Sequence, residues 1–222
     1  MASVRPEYND KIRGHYSLAP TAYMNHMTSP LLRLLAVADG GLRFIFDLIE
    51  MYEFLPSKGF LTMVAKKSCG HAIFQPLCTN ALFALCGFNN KQFNATLLPI
   101  VMGHTPAGSS LRQVLHYAQL VNSGKFRQYD FGLFGNHKKY GRLTPSNYNL
   151  KKITAAVYLF YSHNDWLASE TDVRKLKQQL VNTQISKLVL NTNNQFNHLD
   201  YLYGIDAKTL VYDKVFEVML LH

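Results

Sequence analysis

The stretch Ala155-Ala156-Val157-Tyr158-Leu159-Phe160-Tyr161 decides the fold. It is a short, continuous apolar run, the pattern of a strand buried on both faces, and such strands belong to parallel sheets covered by helices. The loop Ser162-His163-Asn164-Asp165 follows it. Ser169 and Asp172 then cap a helix carrying Val173, Leu176 and Leu180 at helical spacing. Ile185 to Leu190 reads as a second short strand, and Asn191 to Asp200 as its loop. A last amphipathic helix is expected from about Ala207 to Leu221. Strand, loop and helix, given twice, is the grammar of a parallel α/β sheet.

Upstream, Lys11 to Leu18 leads into Ala19-Pro20 and is expected to be a strand closed by proline. Ser29-Pro30 reads as an N-cap with proline at the first helical position. Helix is expected over Thr28 to Leu55, with a break at Gly40-Gly41 and an end at Pro56-Ser57-Lys58-Gly59. Residues 60–86 read as two helical pieces, the second being Ile73 to Leu85. Ser110 and Gln113 form a capping-box pair ahead of Leu111, Val114, Leu115, Ala118 and Val121, and Gly124 stops that helix. Residues 125–150 lack periodicity and read as loop. A large helical insertion thus separates one strand from two later ones, as a cap on an α/β sheet does. The expected division is a central strand segment over 1–24, a helical cap over 25–150 and the rest of the sheet over 151–222.

With 48% hydrophobic and 17% charged residues in 222, the chain is neither a disordered tail nor a coiled coil. The 23 Lys and Arg against 14 Asp and Glu leave a net charge of +9. No RNP, helix-turn-helix or zinc-finger context accompanies that charge, so nucleic acid is not an expected partner. Arg5, Glu7, Asp10, Lys11 and Arg13 break the first residues, so the chain as written shows no signal peptide. Arg33, Asp39, Arg43 and Asp47 interrupt the longest apolar region, Leu31 to Leu55, which excludes a plain transmembrane span there. Three cysteines are too few for a disulfide scaffold and lack zinc-ribbon spacing.

Functional groups in open parallel sheets gather in loops at the carboxyl ends of strands. Asp165 lies just past one such strand and His198 just past the next. A carboxylate that orients an imidazole is two-thirds of a nucleophilic triad, and the order Asp then His fits Ser…Asp…His. The alternative is two polar loop residues with local hydrogen bonds. The serine is the difficulty, because no Gly-x-Ser-x-Gly turn occurs anywhere in the chain. Ser109 and Ser110 follow Gly108 but open a helix, where a capping role fits them better. Asp130-Phe131-Gly132 imitates a kinase metal-binding triplet without the rest of that machinery. His163, Asp165, His198 and Asp200 could be drawn around an ion, but they lack the tight spacing of zinc ligands, so no metal is expected.

Several segments together resemble the acid lipase family of α/β-hydrolases. They are Tyr16-Ser17-Leu18-Ala19-Pro20-Thr21-Ala22, Leu77-Cys78-Thr79-Asn80-Ala81-Leu82-Phe83, Cys86-Gly87-Phe88 and His104-Thr105-Pro106-Ala107-Gly108-Ser109-Ser110. Gly124-Lys125-Phe126-Arg127-Gln128-Tyr129-Asp130-Phe131-Gly132, Asn164-Asp165 and Asn197-His198-Leu199-Asp200-Tyr201 complete the set. The resemblance implies an incomplete α/β-hydrolase fold with a helical cap, Asp165 as triad acid and His198 as triad base. It also implies a cap disulfide between Cys69 and Cys78, an unpaired Cys86 and a glycosylated Asn94 in the sequon Asn94-Ala95-Thr96. The implied substrates are neutral lipid esters met at a lipid interface, in a secreted or lysosomal setting and with no cofactor. In that family the nucleophile turn precedes the segment matched by Met1 to Pro20. The chain therefore reads as the C-terminal part of a lipase, inactive alone, with Lys11 to Leu18 expected to expose one edge; the alternatives are a non-catalytic lipid- or partner-binding remnant and a fragment of a longer active lipase.

Overall fold

The computed structural model describes residues 1–37, 53–54, 75–105 and 107–222. In chain order it contains β1 (Gly14–Leu18), α1 (Pro30–Val37), β2 (Glu53–Phe54), α2 (Gln75–Cys86) and α3 (Leu98–His104). These are followed by β3 (Ser109–Ser110), α4 (Leu111–Ser123), α5 (Gly132–Tyr140), β4 (Ala156–Tyr161) and α6 (Glu170–Gln179). The last elements are β5 (Ser186–Leu190), α7 (Asp200–Tyr203) and α8 (Asp213–Met219). The expected break at Gly40-Gly41, the turn at 56–59, the first helical piece after residue 60 and Cys69 all lie outside the described residues.

The main sheet has the order β1-β4-β5 with both pairings parallel, so the apolar run 155–161 supplies its central strand. All six residues of β4 are buried, whereas β1 and β5 are only partly covered. Gly14 pairs with Ala156 and Val157 with Ser186, which fixes the register of the whole sheet. The core gathers around β4, with Val173, Leu176 and Leu180 of the α6 segment and Phe196, Tyr201 and Val211 from the C-terminal part. Tyr16 stacks on Tyr158 across the β1–β4 pair, with ring centroids 5.3 Å apart. Among the described residues the outer edge of β1 pairs with no further strand. The parallel sheet and its helices agree with an incomplete α/β fold.

Local chemistry accounts for some of the element ends. The Ser169 hydroxyl accepts from the Asp172 amide at 3.3 Å, capping α6 as expected. Gly124 ends α4 in the left-handed region, at φ 62°, donating its amide to Leu120 O. Ser110 makes no side-chain cap; instead Ser109 Oγ donates to Gln113 Oε1 at 3.2 Å. Proline starts α1, but the Ser29 hydroxyl is buried without a hydrogen-bond partner, so that cap is carried by the backbone alone.

Three expectations need correction. Glu53–Phe54, placed in a helix from sequence, is a short strand antiparallel to β3. The stretch 125–150 is not all loop, because it contains α5. That helix is assembled by side chains rather than by apolar periodicity: Asp130 Oδ1 accepts from the Gly132 amide and from the Asn136 side chain, which also binds Leu143 O. His137, Lys138 and Lys139 sit in its last turn, where cations suit the helix dipole. The final helix is not regular either. It opens with a π-helical turn over Lys208–Tyr212, whose i→i+5 spacing sets Lys208 against Asp213 at 2.9 Å.

Because β4 is covered on both faces, its side chains cannot be trimmed without leaving a cavity. Leu159→Ala, at a position 1% exposed, is expected to cost about 2–5 kcal/mol in chemical denaturation. Leu190→Ala, 38% exposed at the end of β5, is expected to cost well under half of that.

Candidate functional site

Parallel neighbours open their loops at the same end, so the chain leaving Tyr161 and the chain leaving Leu190 emerge side by side. Four residues past β4, Asp165 turns its carboxylate inward. Its Oδ1 accepts the backbone amides of Leu167 at 2.9 Å and Ala168 at 2.8 Å, an Asx turn that fixes the rotamer. The Asp165 side chain is fully buried.

His198 comes from the β5 loop and completes the pair. Its Nδ1–H donates to Asp165 Oδ2 at 2.9 Å and to Oδ1 at 3.1 Å. A carboxylate held this way can only accept, so the proton of neutral His198 resides on Nδ1 and Nε2 carries the lone pair. The imidazole is 25% exposed, enough for Nε2 to meet a reactant while the carboxylate stays dry. A buried acid orienting a reachable base is the arrangement that deprotonates a hydroxyl nucleophile and stabilises the imidazolium that forms. The structure therefore joins the two residues singled out from sequence.

The other candidates have separate engagements. His163 Nδ1 pairs with Glu170 at 2.8 Å, and Asp130 caps α5. Ser109 and Ser110 form β3, and neither hydroxyl bonds to His198 among the described contacts. Asn94 Oδ1 accepts the amides of Thr96 and Leu97 at 3.1 and 3.3 Å in an exposed turn. Among the described residues no cluster of His, Cys, Asp and Glu has the form of a metal site, and no helix is long and apolar enough to cross a membrane.

A polar frame around the pair was not foreseen. It is built where α2 ends, at Cys86-Gly87-Phe88-Asn89. The Asn164 side-chain amide donates to Phe88 O at 2.9 Å and to Gln195 O at 2.7 Å. The Asn197 amide donates to Gly87 O at 2.8 Å. Asp200 is 4% exposed and accepts the Asn197 backbone amide at 2.8 Å and the Asn89 side chain at 2.7 Å. Burial pushes its carboxyl up to about 6 against those stabilising donors. Cys86 is a buried free thiol, pushed up to about 12 by burial first and by the Asp165 and Asp200 charges after it. The signal available in the sequence was the asparagine immediately before each member of the pair, at 164 and 197.

The chain is similar to lipases over nearly its whole length. The chain is 38% identical over 220 residues to "Lipase 3" of Drosophila melanogaster, covering 99% of this chain and 55% of the fly protein. It is 34% identical over 216 residues to human "Lysosomal acid lipase/cholesteryl ester hydrolase", covering 96% and 52%. It is also 34% identical over 219 residues to rat "Gastric triacylglycerol lipase", covering 98% and 53%. The chain thus spans about half the length of the curated relatives it matches. No family model matches it.

Asp200 makes folding depend on pH in a defined direction. Its carboxyl titrates at about 6 when folded and near 3.8 when unfolded, so between those values the folded chain binds the extra proton. Its contribution is therefore greatest below the lower value and declines as pH rises to the upper one. Urea titrations of the parent and of Asp200→Asn across that window are expected to diverge, the parent losing stability relative to the variant as pH increases. Parallel curves would contradict the assignment.

Proposed function

Because the chain belongs to the acid lipase family, we propose that Asp165 and His198 are the acid and base of a Ser-His-Asp triad that hydrolyses neutral lipid esters. The single observation that carries this reading is the bond from His198 Nδ1 to the buried Asp165 carboxylate, made between adjacent carboxyl-end loops. His198 Nε2 takes the proton as the serine oxygen attacks the ester carbonyl, and returns it to the departing alcohol. Asp165 holds the tautomer and balances the imidazolium without itself becoming protonated. A water deprotonated by the same nitrogen then releases the fatty acid and frees the serine.

The attacking serine belongs on a strand-to-helix turn of the Gly-x-Ser-x-Gly type, and the 222 residues contain no such sequence. In this reading the nucleophile and the oxyanion donors come from a segment outside this sequence, and the 222 residues alone leave ester hydrolysis at background. The stretch 25–150 serves as the acyl-binding cap between the core segments 1–24 and 151–222. Exposed Leu34, Val37, Leu77 and Ile100 supply it with apolar surface for a lipid interface. Cys69 and Cys78 form the cap disulfide, a reading supported by Cys86 being a free thiol. Asn94 carries a glycan, supported by its exposed turn, and the setting is secretory or lysosomal.

Two measurements test the triad. The 222-residue chain is expected to form no adduct with a fluorophosphonate probe above a heat-denatured control. Joined behind the upstream half of a relative such as the fly Lipase 3, it is expected to hydrolyse p-nitrophenyl esters. In that chimaera His198→Gln should lower kcat by roughly four to six orders of magnitude, and Asp165→Asn by about four. A serine adduct on the 222 residues alone, or a chimaera indifferent to His198→Gln, would overturn the proposal. Saturable fatty-acid binding by an inactive chimaera would instead favour a non-catalytic lipid-binding role for the apolar surface.

A further inference from the structure

The two residues of the pair come from different loops, yet each loop is tied to the same short piece of backbone. We propose that Asn164 and Asn197 are positioning residues: each anchors the acid or base that follows it to the dipeptide Gly87-Phe88, so that the end of α2 sets the separation of Asp165 and His198. The proposal deepens the triad reading and rests on it.

The sheet by itself cannot hold that separation. The β4–β5 ladder ends at Tyr161 and Leu190, with one more bond from the Asn191 amide to Tyr161 O at 2.8 Å. Beyond it the two loops run on without a shared strand bond until they reach the α2 terminus. There Asn164 donates to Phe88 O and Asn197 to the adjoining Gly87 O. The Trp166 amide, just past Asp165, and the His198 amide both donate to Cys86 O, each at 3.4 Å. Asn164 also reaches across to Gln195 O in the histidine loop. Three consecutive carbonyls thus receive both loops, and the two asparagines make the shorter bonds.

Their chemistry is specific. A carboxamide offers two N–H donors to carbonyl oxygens, whereas the isosteric aspartate offers none. Asn197 uses its other end as well, since its Oδ1 accepts the Asp200 amide at 3.0 Å. Gly87 permits the close approach. Its φ is 111°, and a Cβ there would collide with the Asn164 backbone carbonyl. The residue that would block the loops is the one without a side chain.

The test uses the full chain with nitrogen-labelled histidine and follows solvent exchange of the His198 Nδ1 proton by NMR. Asn164→Asp, which loses the bonds to Phe88 O and Gln195 O, and Asn197→Asp, which loses the buried bond to Gly87 O, are each expected to speed that exchange by roughly tenfold or more. Amide exchange in β4 should hold its parental rate. Because both asparagines act on one bracket, the double variant should exceed the stronger single variant by less than the product of the two effects. Asn182→Asp, which breaks an exposed bond to Lys151 O away from the pair, should leave the Nδ1 proton unchanged. If a buried carboxylate prevents folding, the alanine variants are read in the same way. Unchanged Nδ1 exchange, or a loss matched by an equal loss across β4, would overturn the proposal. The readout requires no hydrolysis, so an inactive chimaera with an intact bracket would refute the triad alone.

Discussion

Two parallel strands lying side by side can open their loops only at a common end, and the β4–β5 pairing imposes that constraint on everything that follows. Val157 opposite Ser186 and Tyr161 opposite Leu190 leave the two chains emerging together. An acid and a base far apart in sequence then need only short loops to meet. The burial of β4 on both faces makes the platform stiff, and its edges carry the polar work.

The pair itself shows how a buried charge is kept. Asp165 is removed from water yet receives two backbone amides and the His198 Nδ1–H, so its desolvation is answered by three donors. Asp200, two residues past His198, takes the Asn197 amide and the Asn89 side chain on its carboxylate, and burial displaces its carboxyl upward against both donors. Two buried aspartates in one frame thus differ in what surrounds them. Cys86, buried and influenced by both carboxylates, adds a thiol rather than a third charge.

Much of this was legible in the sequence wherever one residue type had one physical outlet. The run 155–161 could only be a covered strand, Ser169 with Asp172 could only start a helix, and Asp165 and His198 fell on strand ends by counting. Legibility failed where side chains substitute for periodicity. α5 stands on Asp130 and Asn136, which close its ends with hydrogen bonds that no hydrophobic pattern announces. Glu53–Phe54 forms a strand because β3 lies opposite, a partner more than fifty residues away. The asparagine bracket was hidden for the same reason: its acceptors are backbone carbonyls at 86–88, which every sequence has.

The position of β1 has a kinetic side. Seating β5 beside β4 closes the loop from Ser162 to Ile185, whereas seating β1 closes the whole stretch from Ala19 to Ala155. Loop-closure entropy grows by about 0.6 kcal/mol per doubling, so the β1 closure is dearer by about 1.5 kcal/mol before any contact repays it. Contacts that are near in sequence form first on such grounds. The strand–helix–strand unit of β4, α6 and β5 can therefore assemble as a local nucleus, and β1 arrives as a late addition to a sheet whose carboxyl end is already shaped.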